Sequence, residues 1–368
     1  MIADNPWIDA AVRTLLVALL AILVVLILIW LERKVAGRMQ MRLGPMVTGP
    51  YGIMQSVADA IKLLTKEDLR PATADRWVFE LAPFAAFVPS LLALISLPFT
   101  AHLFVRNLEL GLFYIVAVSG LSTVGLLMAG WGSANKYALL GAVRAAAQLI
   151  SYEIPLVLAI LAVAMVSGTL NLVEIVNEQG RVPYIVWQPL GFAIFLIATL
   201  AELRRNPFDI PMAESEIIGG PVIEYSGIRW SMFFLAEYVN VFVLSVLGSL
   251  VFLGGWNWPL GNEVGWPLQV VLILLKTSAM LLLFMWLRST LPRLRIDQLM
   301  SFCWQVLLPF AFVAIILNGL VLVYEWPDVV LGLLSGFAAL VAGALVYRGS
   351  RRAVPTPRWP LAPARGID

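Results

Sequence analysis

Six carboxylates, Glu202, Asp209, Glu214, Glu216, Glu224 and Glu237, fall within one 36-residue stretch that holds only three bases, Arg204, Arg205 and Arg229. Glu153 lies upstream in an apolar run, and Lys276 sits mid-way through another. Acids in a greasy setting do one kind of chemistry well. An unpaired carboxylate in low dielectric favours its protonated form, neighbouring acids reinforce this, and groups that titrate near working pH can hand protons on. For Glu202 or Glu224 alone, helix capping or pairing with a nearby Arg is an equally good account; for Glu153, Glu202 and Glu237 together, function is the better one, because intramembrane acids are costly. Lys276, about three turns from either end of its run, calls for a partner carboxylate or a wet cavity. Composition removes most metal chemistry. One Cys (Cys303) and one His (His102) fall short of a zinc site, an iron-sulfur cluster, a bis-His haem or an intrachain disulfide.

These groups must be positioned by a membrane protein. Of 368 residues, 61% are hydrophobic and 13% charged, about half the charge of an ordinary soluble domain. Windows of about 20 apolar residues recur near 14–31, 79–97, 112–130, 138–166, 187–203, 231–253, 268–287, 306–324 and 329–346. No period-2 alternation is present, so the expected class is all-α: a polytopic bundle of about nine transmembrane helices. The first window is too long for a cleavable signal and is preceded by acids, Asp4 and Asp9. The stretch 138–166 is too long for one upright span, and Pro155 predicts a kink that seats Glu153 below the surface.

Of the 25 Lys and Arg, 21 lie in the segments after odd-numbered windows and in the C-terminal tail. The positive-inside rule puts those segments in the cytoplasm, the N-terminus outside and the C-terminus inside. The expected organisation is one membrane domain over 1–347, with a Pro-rich, exposed cytoplasmic tail over 348–368.

Two cytoplasmic segments are long, charged and broken by Gly and Pro. Between 51 and 66, Ile53, Val57, Ile61 and Leu64 form one stripe and Gln55, Asp59, Lys62 and Lys66 the other, which predicts an amphipathic helix in the interface. It serves either as a surface anchor or as a wall between lipid and an internal cavity. In the acidic segment 202–230, Pro207, Pro211, Gly219, Gly220 and Pro221 forbid a continuous helix, and irregular backbone at membrane depth is tolerated only beside protein or water. Arg288, Arg293, Arg295 and Asp297 cluster where the seventh window leaves the membrane, a pattern that also suits a simple anchor. Gly332 and Gly336 form a GxxxG that marks close helix packing. No Gly-rich phosphate loop is present, and nothing suggests nucleic acid.

At these residues the chain resembles a known family, the H subunit of respiratory complex I, the proton-translocating NADH:quinone oxidoreductase. The matching stretches are Glu32-Arg33-Lys34, 40–45, 49–67, Gly130-Trp131, Asn135-Lys136-Tyr137, 141–153, Ala201-Glu202, Pro207-Phe208-Asp209, Glu214-Ser215-Glu216, Glu224-Tyr225, 235–238 and 288–299. They cover nearly the whole chain in order, and a ninth span fits bacterial members that add one helix. The resemblance implies a subunit at the junction of the peripheral and membrane arms of a bacterial inner-membrane complex, in contact with other complex I subunits on both sides and with lipid. It implies that Arg33, Arg42, Asp59, Phe208, Arg293 and Arg295 line or buttress a quinone tunnel. Glu153, Glu202, Glu214, Glu216, Glu224 and Glu237 would form an acidic relay, to which the residue reading adds Asp209 and Lys276. Quinone is then the substrate, while NADH, FMN and iron-sulfur clusters belong to partner subunits; this chain itself binds no metal, flavin or haem and works as a non-redox subunit.

Three positions depart from the family pattern. Met212 stands where a carboxylate is usual, Arg204 where Asn is usual and Gln305 where Lys is common, which implies a shorter or differently wetted relay. Two other functions compete with this one. A homologous anchor of a hydrogenase or ferredoxin-linked complex would need no quinone tunnel, and an independent ion-coupled transporter would show inverted repeats, which are absent from the sequence.

Overall fold

The computed structural model describes residues 6–180, 182–259, 261 and 265–352, without the side chains of 6–11, 214, 215 and 349–352. Among the described residues the chain is all helical, with fourteen α-helices. These are α1 (Pro6–Met39), α2 (Gln55–Thr65), α3 (Arg76–Ile95), α4 (Gly111–Gly132), α5 (Lys136–Ser167), α6 (Leu172–Glu178), α7 (Tyr184–Trp187) and α8 (Pro189–Glu202). They continue as α9 (Glu214–Ile217), α10 (Gly227–Val251), α11 (Trp266–Thr290), α12 (Ile296–Phe302), α13 (Leu308–Val323) and α14 (Asp328–Arg352). The protein is a multi-pass membrane bundle. Eight helices are long and apolar enough to cross a bilayer, counting α12 and α13 as one through the π-helical turn Cys303–Leu307.

The ends of these helices are written in the sequence. The Asp75 carboxylate accepts from the Trp77 and Val78 amides at the start of α3, and Asn135 and Asn171 cap α5 and α6 in the same way. Gly168, at φ 68°, closes α5 in the left-handed conformation that a glycine adopts without strain. Helices α3 and α4 approach so closely that a Cβ at Gly125 would collide with the Ala86 backbone nitrogen, small residues serving where lipid gives helices no reason to associate. Helix α10 runs through the middle of the bundle, most of its length buried against α1, α3 and α11.

Three expectations change. The predicted fifth span is only the 14-residue α8, ~21 Å long against a hydrocarbon core of ~30 Å. A break at Gln188 and Pro189 separates it from α7, so the count of full-length spans is eight among the described residues. The amphipathic helix begins at Gln55 and not at 51, because Gly49, Tyr51 and Gly52 take positive φ around the turn Pro50–Gly52. Helix α14 continues through Arg352, past the expected start of the tail; residues 353–368 lie outside the described residues. The stretch 138–166 lies in one 32-residue helix, α5, with Pro155 inside it. Gly332 packs as its motif predicts: a Cβ there would meet the Trp187 ring at 3.2 Å.

Candidate functional site

The acidic segment is irregular, as its Pro and Gly content requires. After α8 it turns through Arg204, a non-glycine residue at φ 51°, continues to α9 and the 3-10 turn Gly220–Val222, and enters α10 at Gly227. Helix α5 holds it along much of its length. Near the N-terminus of α5, Asn135 donates to Glu224 (2.6 Å). Further along, Arg144 pairs with Glu216 (2.6 Å) and the buried Gln148 donates to the carbonyls of Ala201 and Phe208. A Cβ at Gly141 would lie 2.5 Å from the Gly220 Cα, so a larger residue there would push the segment away. The far end is pinned to α3, where the Tyr225 ring stacks on Phe79 with centroids 4.1 Å apart and the Tyr225 hydroxyl donates to the Phe79 carbonyl.

This arrangement sorts the predicted acids into two groups. Glu153, Glu202, Asp209 and Glu237 belong to one connected electrostatic path. Glu202 feels the charges of Glu153 and Arg204, and one of its oxygens is buried with no hydrogen-bond partner among the described residues. Gly120 of α4 leaves the room that the Glu153 carboxylate occupies, since a Cβ there would lie 2.5 Å from Oε1. Asp209 pairs with Arg293 at 3.1 Å and also feels Glu237 and Arg204. Burial raises the Asp209 carboxyl above the ordinary range, with Glu237 adding to the rise, against the opposing pull of Arg293 and Arg204. Glu216 and Glu224 lie on the α5 N-terminal flank instead, held by Arg144 and Asn135. The Glu214 side chain lies outside the described residues.

The path ends in a charge cluster that sequence reading did not single out. Arg205, 3% exposed, bonds the Glu32 carboxylate of α1, stands 3.3 Å from Glu237 of α10 and lies 4.8 Å over the Tyr238 ring. Arg288 of α11 pairs with the other Glu32 oxygen. Arg205 looked no different from Arg204 and Arg229. The available signal was Glu32, an acid in the last turns of an apolar helix, where the helix dipole disfavours negative charge and a buried cation is needed to keep it.

Two cavities open beside this cluster and share a wall made by Arg42, Leu43 and Gly44. One, of about 790 Å³, is mostly apolar, with Trp30, Leu31, Val35, Met46, Tyr51 and Ile53 in its lining and Lys34, Arg38 and Arg42 as its charged groups. The other, of about 500 Å³, is polar and reaches Glu32, Arg33, Tyr238 and Arg288. Arg33, in the lining of the polar cavity, is held by α2. Asp59 binds Arg33 at 2.6 Å and Lys62 at 3.3 Å, which ties α2 to α1. Burial pushes the Asp59 carboxyl up, but those two cations outweigh it and hold it below the usual range.

Of the six residues implied for a tunnel, Arg33 and Arg42 line a cavity and Asp59 braces one. Phe208 packs in the core on Tyr152, at 5.5 Å between centroids, and lines neither cavity. Arg293 grips Asp209, and Arg295 makes an exposed pair with Asp297 at 3.5 Å at the start of α12. Lys276 stands apart from the acids. Its Nζ donates to the carbonyls of Leu253 (2.7 Å) and Gly255 (2.6 Å), so backbone oxygens beyond the C-terminus of α10, the negative end of that helix, stand where a carboxylate or a wet cavity was expected. Those carbonyls begin sixteen residues after Glu237, ~24 Å along the helix axis. No group of three or more potential metal ligands occurs among the described residues. Met212 packs half-buried against the apolar cluster around Phe79 and Leu126, and Gln305 is exposed in the π-helical turn.

Residues 12–319 match the family model described as NADH dehydrogenase. The chain belongs to this family. It is 45% identical over 345 residues to the NADH-quinone oxidoreductase H subunit of Dehalococcoides mccartyi strain CBDB1, covering 94% of this chain and 96% of the relative. The H subunits of the same enzyme in Geobacillus kaustophilus and Geobacillus thermodenitrificans are 53% and 50% identical over 291 and 319 residues. Those alignments cover 79% and 86% of this chain, and 87% and 96% of the relatives. The match runs through the α1–α2 region, the acidic segment and α10–α12, where the charge cluster and both cavities lie.

Proposed function

We propose that this chain is the membrane subunit of a proton-pumping NADH:quinone oxidoreductase that forms the quinone tunnel's entrance and couples quinone reduction to proton translocation through buried carboxylates. The names of its relatives support the enzyme, and the observation that carries the finer reading is the pair of adjoining cavities. A quinone is an amphiphile with an apolar tail and a polar head. The larger, apolar cavity suits the tail, and the smaller one offers the head Arg33 and the Glu32–Arg288 pair.

Reduction of the head takes two electrons and two protons, and the negative charge that develops must be met by nearby cations or protons. Glu32, Arg205 and Glu237 connect the polar cavity to Asp209, Arg204, Glu202 and Glu153, so a change of charge at one end alters the proton affinity of the next group. In this reading the acidic side faces the cytoplasm of a bacterial inner membrane, with the N-terminus outside and the C-terminus inside. Peripheral-arm partners carry NADH, FMN and iron-sulfur clusters and complete the quinone site, membrane-arm partners receive the relay, and this chain is a non-redox subunit.

A photoreactive quinone analogue, applied to the assembled complex, tests the tunnel. Label is expected within 33–64 or 205–230; label confined to the loop around Arg106, at the other end of the bundle, overturns the reading. In parallel, Glu202→Gln and Glu237→Gln should slow quinone-linked turnover with assembly intact, and unchanged turnover and pumping in both would remove the relay.

A further inference from the structure

We propose that Gln148 is a positioning residue for the proton-coupled reaction: one side-chain amide that grips both ends of the turn 201–208 and so fixes Glu202, Arg204 and Arg205 relative to one another. The proposal rests on the relay reading above and assigns a role to a residue with no charge and no cavity contact.

The geometry is specific. Gln148 projects from α5 and is 2% exposed. One of its atoms, Nε2, donates to the Ala201 carbonyl at 2.8 Å and to the Phe208 carbonyl at 2.9 Å. The two acceptors are seven residues apart, and between them lie Glu202, the left-handed Arg204 and Arg205. A non-glycine residue at positive φ persists only where its surroundings over-determine it. Here the Arg204 amide donates to Ala201, the Arg205 amide to Leu200 and the Phe208 amide to Arg205, and Gln148 closes the turn from outside. The charged groups that act on Glu202 are Glu153, on the same helix as Gln148, and Arg204, inside the turn. Arg205, also inside it, reaches Glu32 and Glu237. A shift of the turn therefore alters both halves of the path at once. Both amide hydrogens of Gln148 are used, its Oε1 has no partner among the described residues, and an amide one methylene shorter is drawn back from both carbonyls.

A second buried glutamine supplies the control. Gln179, 1% exposed, also donates through Nε2 to two carbonyls, Ile175 at 3.2 Å and Leu250 at 2.9 Å, but near the C-terminus of α10 and away from the acids. The experiment compares Gln148→Met, Gln148→Asn, Gln179→Met and Glu202→Gln in the assembled complex. It reads the amount of complex, quinone-linked turnover, quinone KM and the pH profile of turnover. Gln148→Met and Gln148→Asn are expected to assemble and to lose about tenfold or more in kcat with little change in KM, the size of loss that a small misplacement of reacting groups produces. Their pH profile should move as that of Glu202→Gln does, while Gln179→Met keeps the parent profile. An unmoved profile in both Gln148 variants beside a moved one in Glu202→Gln overturns the positioning role and leaves the relay standing. A moved profile in the Gln148 variants with an unaffected Glu202→Gln keeps the clamp and overturns Glu202 as a relay member. Loss of the complex in both Gln148 variants, with Gln179→Met intact, reduces Gln148 to a folding residue and overturns the proposal.

Discussion

Arg205 and Glu237 come within 3.3 Å of each other in the interior, and the same guanidinium also bonds Glu32, so one cation joins α1 to α10 across the loop that follows α8. Glu237 pairs with it, and Glu32 is shared between it and Arg288. Arg205→Leu leaves two acids short of their counter-charge, and breaking a buried pair of this kind costs about 3–5 kcal/mol. The expected outcome is a marked loss of assembled complex and a lower thermal midpoint for what remains. Arg205→Lys should not rescue it, because a single ammonium cannot present a fork to two carboxylates while lying over the Tyr238 ring. A Lys variant with parental stability and turnover would show that only the charge matters.

Gly120→Ala separates stability from function. The added Cβ meets the Glu153 Oε1, the far end of a flexible side chain, so the fold yields by moving the acid and not the backbone. Alanine in place of a helical glycine favours the helix by up to ~1 kcal/mol. Thermal stability should hold or rise while quinone-linked proton pumping falls; pumping at the parental rate would show that the position of Glu153 is unimportant.

Asp59 predicts what acidification does near the cavities. Because Arg33 and Lys62 hold its carboxyl below the ordinary range, the pair's contribution is complete above the unfolded aspartate pKa of about 3.9 and is lost only as pH falls through the lower folded value. The protection of α2 amides, the exchange rate relative to the unstructured rate at the same pH, should therefore stay constant from neutral pH down to about pH 5, while Asp59→Asn should lower it throughout that range. Equal exchange in the two proteins would mean that α2 is held by its apolar face alone.

Asp209 behaves in the opposite sense. Burial raises its carboxyl and Arg293 opposes the rise, so Arg293→Gln should raise it further and keep Asp209 protonated to higher pH. Infrared difference spectroscopy of the carboxyl band in the two proteins, with Asp209→Asn to assign the band, measures this. A band that titrates at the same or a lower pH in Arg293→Gln would contradict the pairing.

The helical class, the amphipathic α2 and the broken segment after α8 were legible because each follows from local pattern: apolar runs, a two-faced stripe, and Pro and Gly within 207–221. The grouping of the acids was not legible, since spacing along the chain does not reveal that Glu216 and Glu224 lie along the N-terminal half of α5 while Asp209 and Glu237 converge on two arginines. Lys276 misled for a related reason. Its partners are main-chain oxygens exposed by the end of α10, and no residue type marks them. Likewise the apolar window 187–203 reads as a span, but Gln188 and Pro189 interrupt the backbone ladder and leave the shorter α8, and hydropathy does not register the break.

That interruption gives the final helix a task beyond the 12–319 family match. The Ser335 hydroxyl of α14 donates to the Trp187 carbonyl at 2.8 Å, just where α7 stops. Truncating the chain after Val323 would remove that donor from the break between α7 and α8. The C-terminal helix thus works as a stopper for a flaw in the middle of the polypeptide.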